Sequence, residues 1–573
     1  MEEILRFKKA NCKNCFKCLR ECPVKAIAFK DGQAEIMRDE CLICGHCLTV
    51  CPQNAKVVRC DIDSVKKLIA SGHHVVASVA PSFIAAFDTG IAEFSLALKK
   101  LGFFEIQETS IGAVPVTREY EKLIAERKMP CVISSACPTI VKLIEKYHPG
   151  ALSCLAPVVS PMTAHARMIK KQYEDVYVVF IGPCISKKDE AGWDDDAVDA
   201  SITFEELSSW FQTENISFDK PYTAISCSDG KRDKNVSNAR LYPTIGGIIK
   251  TMRTRVPGVN YVTVEGMDKC RSVLDEIESG ELEGFFIEMS ACAGSCLDGP
   301  CMVRPHGGYL ASHRRVENYA KSRANAQLND DTASFEGINL RRIYSVKSPM
   351  QQMPGERDIQ AILAKTGKLT ATDELNCGAC GYATCRDKAV AVYQGKAEVT
   401  MCMPYMRERA EYISDKVISF SPNAIIVLDN LLSIQALNDA ACQLFGINDA
   451  KDFGGRYIGE LTDASAFEEA LVRRENILDR KIYLFRYEKY VEQSIIYVKE
   501  HNIIFAILRD MTASEKQNEN IKKVKLETVQ TADNVIEKQM RVVQEIAMLL
   551  GETTAETKVA LTKLKETMMS EEV

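Results

Sequence analysis

The 573-residue sequence lacks two features that define large functional classes. It has no excess of positive charge, since 72 lysines and arginines face 78 aspartates and glutamates and give a net charge of -6. A general nucleic-acid partner would favour a basic surface, which argues against that class. It also lacks a long apolar run, because its most apolar stretch, residues 75–87, is interrupted by Ser78, Pro81 and Ser82. That stretch is shorter than the roughly 20 residues that a membrane-spanning helix needs.

The N-terminal residues 1–9 carry charges and have no apolar core of a signal peptide, which predicts a cytoplasmic protein. The length predicts about three to five domains. Because thiols stay reduced in the cytosol, the 23 cysteines are interpreted as metal ligands rather than disulfides. Sixteen of them fall into four sets with metal-ligand spacing. The other seven are interpreted mainly as small buried apolar residues: Cys60, Cys131, Cys154, Cys227, Cys270, Cys301 and Cys442.

Two similar cysteine runs open the chain. Each reads Cys-x-x-Cys-x-x-Cys-x-x-x-Cys-Pro, and the runs end at Pro23 and Pro52. This repeat is typical of bacterial two-cluster ferredoxins, in which the fourth cysteine of each run binds the other cluster. The first set is therefore Cys12, Cys15, Cys18 and Cys51, and the second set is Cys22, Cys41, Cys44 and Cys47. Zinc knuckles are the alternative, but they need ligand pairs separated by a finger-length insert.

Three distant segments supply a third set of cysteines. They are Ser-Ser-Ala-Cys-Pro at 134–138, Gly-Pro-Cys-Ile-Ser-Lys-Lys at 182–188, and Cys-x-x-x-Cys at 292–296. The third set is Cys137, Cys184, Cys292 and Cys296. Thiolates gathered from distant segments suit one buried iron–sulfur cluster, because soft sulfur ligands select iron.

These three segments resemble the signatures of the [FeFe] hydrogenase catalytic domain, and the resemblance extends over about residues 75–344. It implies an α/β domain that holds an H-cluster, in which a [4Fe-4S] cluster is bridged through Cys296 to a di-iron unit with carbonyl, cyanide and azadithiolate ligands. It also implies that Lys187 holds a cyanide and that Ser82 and Pro161 contact the diatomic ligands. An ammonium beside an anionic ligand in a dry pocket makes a strong charge-assisted contact. Pro183, next to Cys184 in the second signature, is expected at the same site.

The departures from the family pattern concern proton supply and the surroundings of the di-iron unit. Ala136 stands where the family has its proton-donating cysteine, and a methyl group relays no proton. Gly182 and Ser290 stand where the prototype has methionines, and Ser290 is a candidate substitute relay. The family's carboxylate path corresponds to Glu119 and Glu121 with its usual spacing disrupted. These departures predict slow turnover and favour a hydrogen sensor.

A fourth set follows the catalytic domain. It consists of Cys377, Cys380, Cys385 and Cys402. The glycines between the first cysteines permit a tight turn around a metal, and the gap before the last suits a helix. The segment resembles the small four-iron domain of corrinoid-linked and electron-transport proteins, with zinc as the alternative. It is expected to carry the redox state of the active site towards the C-terminal half.

The C-terminal half is poor in cysteine and resembles a PAS domain. Strands are predicted at 424–428, 434–437, 482–487, 494–498 and 503–508, a helix at 438–445, and an Asp-x-Thr end at 510–512. His501 is a conceivable haem ligand, but a cofactor-free dimerising module is preferred. From residue 513 an apolar residue recurs every seventh position, which predicts a parallel coiled-coil dimer. The alternative is an amphipathic helix packed on its own domain.

The predicted fold class is thus a multidomain α/β protein. Its parts are an α+β two-cluster ferredoxin at 1–60, a hydrogenase domain at 61–365, a small helical [4Fe-4S] domain at 366–410, a PAS domain at 411–512 and a coiled-coil helix at 513–573. The predicted function is a sensory [FeFe] hydrogenase that acts on H2 and protons, exchanges electrons with a ferredoxin-like partner and signals as a homodimer to a separate phosphatase or kinase. A metabolic hydrogenase and a hydrogenase-like iron–sulfur protein without the di-iron unit are the rivals.

Overall fold

The computed structural model describes residues 3–193, 197–218, 238–303, 308–322, 337–550 and 554–569. Cys227, one of the seven unassigned cysteines, lies outside these described residues. The chain divides into two compact units, Met1–Tyr405 and Met406–Val573. None of the described helices is both long enough and apolar enough to span a membrane.

The first part of unit 1 is small and built around its cysteine runs. Two antiparallel strand pairs, β1 with β4 and β2 with β3, enclose two one-turn helices. Its elements are β1 at Leu5–Phe7, α1 at Lys17–Arg20, β2 at Ile27–Lys30, β3 at Gln33–Ile36, α2 at His46–Thr49 and β4 at Lys56–Val58. The cysteines lie in the turns and short helices, where backbone N–H groups reach several of their sulfurs. The Ala26 N–H donates to the Cys22 sulfur, and the Ala55 N–H donates to the Cys51 sulfur.

The larger part of unit 1 contains two parallel sheets. Their orders are β6-β5-β8-β9 and β10-β11-β7. The strands are β5 at His74–Val79, β6 at Glu105–Glu108, β7 at Val132–Ile133, β8 at Val176–Gly182, β9 at Ala200–Thr203, β10 at Asn260–Glu265 and β11 at Phe285–Ser290. The apolar runs at residues 75–79, 176–181 and 285–287 lie in β5, β8 and β11. Apolar runs bury both faces of these strands, as a parallel sheet requires.

Helices cover both sheets. They are α3 at Ile62–Ala70, α4 at Phe83–Phe87, α5 at Ile91–Lys100, α6 at Ser110–Glu126, α7 at Pro138–Tyr147, α8 at Pro161–Gln172, α9 at Ser186–Glu190, α10 at Phe204–Thr213, α11 at Gly247–Thr251, α12 at Met267–Glu278 and α13 at Tyr309–Lys321. The main apolar core lies between the β6-β5-β8-β9 sheet and its helices. A second core lies between the other sheet, α7 and α12.

One ion pair is fully enclosed in this region. The Arg240 guanidinium donates to both oxygens of Glu108, at 2.9 and 2.7 Å. The Tyr319 hydroxyl donates to the same carboxylate at 2.6 Å, and Ser110 donates to it at 3.3 Å. Since both charges are buried and paired, removing either partner would leave a costly unpaired charge.

The last part of unit 1 is small and helical. It contains α14 at Glu356–Ala364 and α15 at Cys385–Tyr393, which pack against each other. Thr384 caps α15, because its hydroxyl accepts the Asp387 N–H at 2.9 Å while the Asp387 carboxylate accepts the Thr384 N–H at 3.1 Å. This cap fixes Cys385 at the first helical position.

Unit 2 is built on one antiparallel sheet of order β13-β12-β16-β15-β14. Its elements, with the helix that crosses the unit boundary, are α16 at Met403–Ser419, β12 at Ala424–Leu428, β13 at Ile434–Leu437, α17 at Asp439–Phe445, α18 at Ser465–Arg473, β14 at Ile477–Leu484, β15 at Lys489–Val498 and β16 at Ile503–Asp510. Two strands differ clearly from their predictions. β14 begins at Ile477 and is followed by a 3-10 turn at Phe485–Tyr487, and β15 begins at Lys489 rather than at residue 494. The reason is pairing, since Tyr483 and Leu484 still face β15 and the ladder ends there.

The C-terminal segment is two helices rather than the single coiled-coil helix expected from residue 513. They are α19 at Thr512–Leu550 and α20 at Thr554–Met569. The helices pack against each other, and the Lys565 ammonium lies 3.0 Å from the Asp533 carboxylate. The predicted heptad positions Val529 and Ile536 are accordingly half-buried. In a single chain, α19 and α20 thus cover part of the seven-residue repeat by packing on each other, as in the alternative of a helix packed within its own domain. The coiled-coil dimer stays a prediction.

Replacing Phe94 with alanine tests the main core. Its ring is 0% exposed and lies 4.8 Å from the Phe83 ring, so Phe94→Ala should lower the free energy of unfolding by about 3–5 kcal/mol. Leu96 is on the same helix and is 62% exposed, so Leu96→Ala should change it by no more than about 0.5 kcal/mol. Pulse proteolysis in urea measures both, and equal stability of the two variants would contradict this packing.

Candidate metal centre

A cavity of about 130 Å³ lies at the carboxyl ends of β5, β8 and β11. All four cysteines of the third set line it, together with Cys44 of the second set. Further lining residues include Ser82, Thr109, Ala136, Pro161, Phe180, Pro183, Lys187, Tyr242, Glu288, Met289, Ser290 and Ser295. The structure thus brings together the three distant cysteine segments.

Parallel strands explain why these segments meet. Cys184 lies two residues beyond β8, and Cys292 lies two residues beyond β11. Cys137 precedes Pro138, the first residue of α7, and Cys296 lies in a 3-10 turn at Ser295–Asp298. Because the carboxyl ends of strands in an open parallel sheet form its usual ligand crevice, this placement follows from the fold.

The electrostatics of the cavity favour a bound cation. Burial raises the pKa of Cys184 to about 11, and the neighbouring Cys137 raises it further, while Lys187 opposes them. Burial also raises the pKa of Cys296 to about 12, with added repulsion from Cys184 and Cys137. Four thiolates therefore cannot share this space uncompensated, and iron supplies the positive charge that they need.

Two polar side chains predicted at the di-iron position lie on the cavity wall. The Lys187 ammonium donates to the Glu190 carboxylate at 2.6 Å and to the Ala136 carbonyl at 3.3 Å. Ser82, the residue that precedes α4, is 0% exposed, and its hydroxyl has no hydrogen-bond partner among the described residues. A buried hydroxyl without a partner is costly, so Ser82 fits a site that presents an acceptor to it.

The other predicted site residues divide into two groups. Ala136, Pro161, Pro183 and Ser290 line the cavity, and the Ser295 hydroxyl donates to that of Ser290 at 3.3 Å. Gly182 is not among the lining residues. A side chain there would meet the Phe180 ring at 2.7 Å, and this ring lines the cavity instead.

Sequence reasoning missed Glu288. It is 2% exposed, lines the cavity, and its carboxylate accepts the Ile249 N–H at 3.1 Å. Burial raises its pKa to about 7, opposed by the backbone N–H groups at the start of α11. The available signal was a lone carboxylate inside the apolar strand Phe-Phe-Ile-Glu-Met, where an unpaired charge is unexpected.

The carboxylates of the expected proton path do not face the cavity. The Glu119 carboxylate binds Lys122 at 2.6 Å, and Glu121 accepts the N–H groups of Arg253 and Thr254 at 2.5 and 2.8 Å. Between them, the Tyr120 hydroxyl lies 3.1 Å from the Ser135 hydroxyl. Neither carboxylate of the expected path therefore lines the cavity.

The structure brings together the second of the two ferredoxin-like sets. The four cysteines of the second set line one small cavity of about 20 Å³. Burial raises the pKa of Cys44 to about 12, with added repulsion from Cys22 and Cys41. In the first set, burial and the charge of Cys12 raise the pKa of Cys18. The Lys56 ammonium hydrogen-bonds both Cys18 and Cys51 and opposes a rise in their pKa values.

All four cysteines of the fourth set line another cavity of about 20 Å³. Two buried lysines share its wall. The Lys368 ammonium donates to the Cys402 sulfur at 3.5 Å, and Lys388 donates to the Val399 carbonyl at 2.9 Å. Positive charge beside four thiolates suits an anionic cluster and lowers the cost of burying it.

Known protein families match three stretches of the chain. Residues 73–300 match the C-terminal domain of the iron-only hydrogenase large subunit. Residues 4–52 match a 4Fe-4S dicluster domain, and residues 373–404 match a putative Fe-S cluster domain. The chain is therefore a hydrogenase-like iron–sulfur protein, and these matches confirm the predicted hydrogenase-like and two-cluster domains.

The relatives include a hydrogenase subunit and an iron–sulfur cluster assembly factor. The NADP-reducing hydrogenase subunit HndD of Solidesulfovibrio fructosivorans is 26% identical over 365 residues, which is 51% of this chain and 60% of that protein. The cytosolic Fe-S cluster assembly factor NAR1 of Yarrowia lipolytica is 26% identical over 191 residues, which is 29% of this chain and 39% of that protein. The chain thus spans less than two thirds of either relative. The [FeFe]-hydrogenase HydA1 structure from Chlamydomonas reinhardtii aligns with a TM-score of 0.39 at 17% identity, over 51% of this chain and all of that one.

Glu288 should titrate near neutral pH. In the apo protein, the infrared band of a protonated carboxyl should disappear with a midpoint of about 7 and be absent from Glu288→Gln. Because this pKa lies above the ~4.3 of a free glutamate, the free energy of unfolding should fall as the pH rises from about 4.3 to 7. The exposed Glu276→Gln is the matched control and should change neither measurement. A Glu288→Gln protein that keeps the band would contradict this assignment.

Proposed function

We propose that this protein is a slow [FeFe] hydrogenase that senses hydrogen or the cellular redox state and passes the result to its C-terminal unit. The observation that carries the proposal is the cavity beside Cys296, whose wall holds the Lys187 ammonium and the buried Ser82 hydroxyl, which has no partner among the described residues. A [4Fe-4S] cluster alone occupies its four thiolates and has no need of these groups. A di-iron unit with cyanide ligands uses both.

The side chains present fit such a unit. Cys296 would bridge the two metal groups, Lys187 would hold one cyanide, and the Ser82 hydroxyl would donate to a diatomic ligand. Phe180 and Met289 keep the wall apolar and exclude water. When bound, the di-iron unit supplies the metal and the bridging amine at which hydrogen is split or formed.

Proton supply decides the expected rate. The methyl side chain of Ala136 offers neither a proton donor nor a proton acceptor. The carboxylates of Glu119 and Glu121 bind other partners. Glu288 can hold a proton near neutral pH, but its carboxylate is held by the start of α11. General acid–base catalysis contributes about 10²–10⁴-fold to rates, so its loss gives a binding-competent but slow site.

The sensory part rests on domain order. The fourth set follows the hydrogenase-like region and precedes the five-stranded sheet of unit 2, whose order of elements is similar to that of a PAS domain. We infer a cofactor-free signalling module that dimerises and acts on a separate phosphatase or kinase, with a ferredoxin-like protein as the redox partner and the cytoplasm as the location.

A second candidate is favoured by the similarity to NAR1. In that case the third set would hold a [4Fe-4S] cluster without a di-iron unit, and the chain would be a non-catalytic iron–sulfur protein. A third, a metabolic hydrogenase, shares the same site and differs only in having a high turnover rate.

Infrared spectroscopy of anaerobically matured protein separates these functions. We expect bands from iron-bound carbonyl and cyanide that shift between hydrogen and an oxidant. Ser82→Ala should move at least one band because it removes a donor to a diatomic ligand. Ser201→Ala, which removes another buried hydroxyl without a partner among the described residues but does not line this cavity, should move none. The absence of such bands after maturation would support the NAR1-like function.

Restoring a thiol at position 136 tests the proton supply. Because no carboxylate path leads on from Ala136 among the described residues, Ala136→Cys should raise hydrogen turnover by less than tenfold, against the ~10²–10⁴-fold of a working relay. Ala136→Ser is the matched control for added volume. A rise of about 10²-fold in Ala136→Cys alone would contradict this account.

A further inference from the structure

The fourth set packs on the ferredoxin-like part of unit 1. Gly381, between Cys380 and Cys385, has φ of +96°, and a side chain there would approach Leu19 within 3.0 Å. The Lys25 ammonium donates to the carbonyls of Leu19, Arg20 and Gly381 at 3.1, 2.7 and 3.2 Å. The backbones around Leu19 and Gly381 therefore approach each other closely, and the Lys25 ammonium holds them together.

A second group of contacts holds the same two segments together. The Lys396 ammonium lies 2.7 Å from the buried Glu40 carboxylate, and the Phe29 N–H donates to the Lys396 carbonyl at 2.8 Å. The Arg20 guanidinium donates to the Ala379 carbonyl at 3.3 Å. Because Glu40 directly precedes Cys41, these contacts fix the fourth set against the second set.

Tyr382 lies beside cysteines of both sets. It is 4% exposed, lines the cavity of the fourth set, and packs with Leu19, Cys22 and Cys380 in one apolar cluster that also contains Cys12 and Cys18 of the first set. Its hydroxyl has no hydrogen-bond partner among the described residues.

The second set also approaches the third set. Cys44 lines the large cavity together with Cys292. Next to it, a side chain at Gly45 would overlap Pro300 at 2.7 Å and reach Ile185 at 3.0 Å. The second set is thus in contact with the third set on one side and with the fourth set on another.

We propose that Tyr382 joins the fourth set to the second set, which makes the second set a branch point between the third and fourth sets. The proposal rests on the function above, in which all four sets hold clusters. Each transfer moves one electron, which oxidises the second set and reduces the fourth, and no bond is made or broken. The Tyr382 hydroxyl would donate to an inorganic sulfide of a cluster held by one of the two sets, which gives it the partner that it lacks among the described residues.

Two buried lysines lie beside the fourth set. Lys368 and Lys388 place two ammonium groups there, and positive charge stabilises the more negative, reduced form of a cluster. An electron that reaches the fourth set is therefore held close in sequence to Met406, where unit 2 begins.

Electron paramagnetic resonance of the cluster-loaded full chain, reduced with dithionite, tests the branch. We expect spin coupling between the second and fourth sets. The second-set signal should lose this coupling in Cys385→Ser, which removes a ligand of the fourth set, and keep it in Cys15→Ser, which removes a ligand of the first. An unchanged second-set signal in Cys385→Ser, or a change confined to the first set, overturns the proposal.

Redox titration of Tyr382→Phe tests the hydroxyl and retains all sixteen ligands if Cys385→Ser fails to fold. Loss of a hydrogen bond to sulfur should shift the reduction potential of the second or the fourth set to a more negative value. The half-exposed Tyr393→Phe, on α15, should shift neither. Unshifted potentials in Tyr382→Phe would overturn its role. Dithionite supplies the electrons in both experiments, so neither depends on hydrogen. A protein that fails to react with hydrogen would contradict the hydrogenase proposal, and these two experiments would still decide the branch.

Discussion

The repulsion among buried thiolates is the constraint on which the rest of unit 1 depends. At short range in a poorly hydrated interior, four negative sulfurs repel one another strongly, and burial alone already raises the pKa of Cys184 and Cys296. Three responses are visible. Backbone N–H groups approach sulfur, lysines line the cavities of the third and fourth sets, and the geometry of every set suits a polycation of iron.

The parallel sheets solve the problem of gathering ligands that are far apart in the chain. Strand ends that meet at one edge place Cys184 and Cys292 together, while the N-terminal end of α7 supplies Cys137. The cavity left beside Cys296 keeps a lysine, a free hydroxyl and a carboxylic acid in apolar surroundings. A site of this kind is selective because each polar group is costly unless the intended ligand satisfies it.

Much of this arrangement was predictable from the sequence, because ligand spacing and strand periodicity are local properties. The cysteine sets, β5 and β8 follow from them, whereas Lys187 and Ser82 were assigned from the resemblance to [FeFe] hydrogenases. Glu288, Tyr382 and the displacement of the Gly182 position by Phe180 do not, since each depends on packing between segments far apart in the chain. The pairing of α19 with α20 was missed for a related reason: a heptad repeat specifies an apolar seam but not which helix covers it.

The exposure of single ligands gives the cysteine sets an order of vulnerability. The first, third and fourth sets each have one exposed cysteine, namely Cys15, Cys296 and Cys377, whereas no cysteine of the second set is exposed. Because the oxidation of cysteine follows its exposure, dioxygen would reach the ligands of the second set last. With the second set as the branch point, oxidation would damage the sets at its ends before it destroyed the set that joins them.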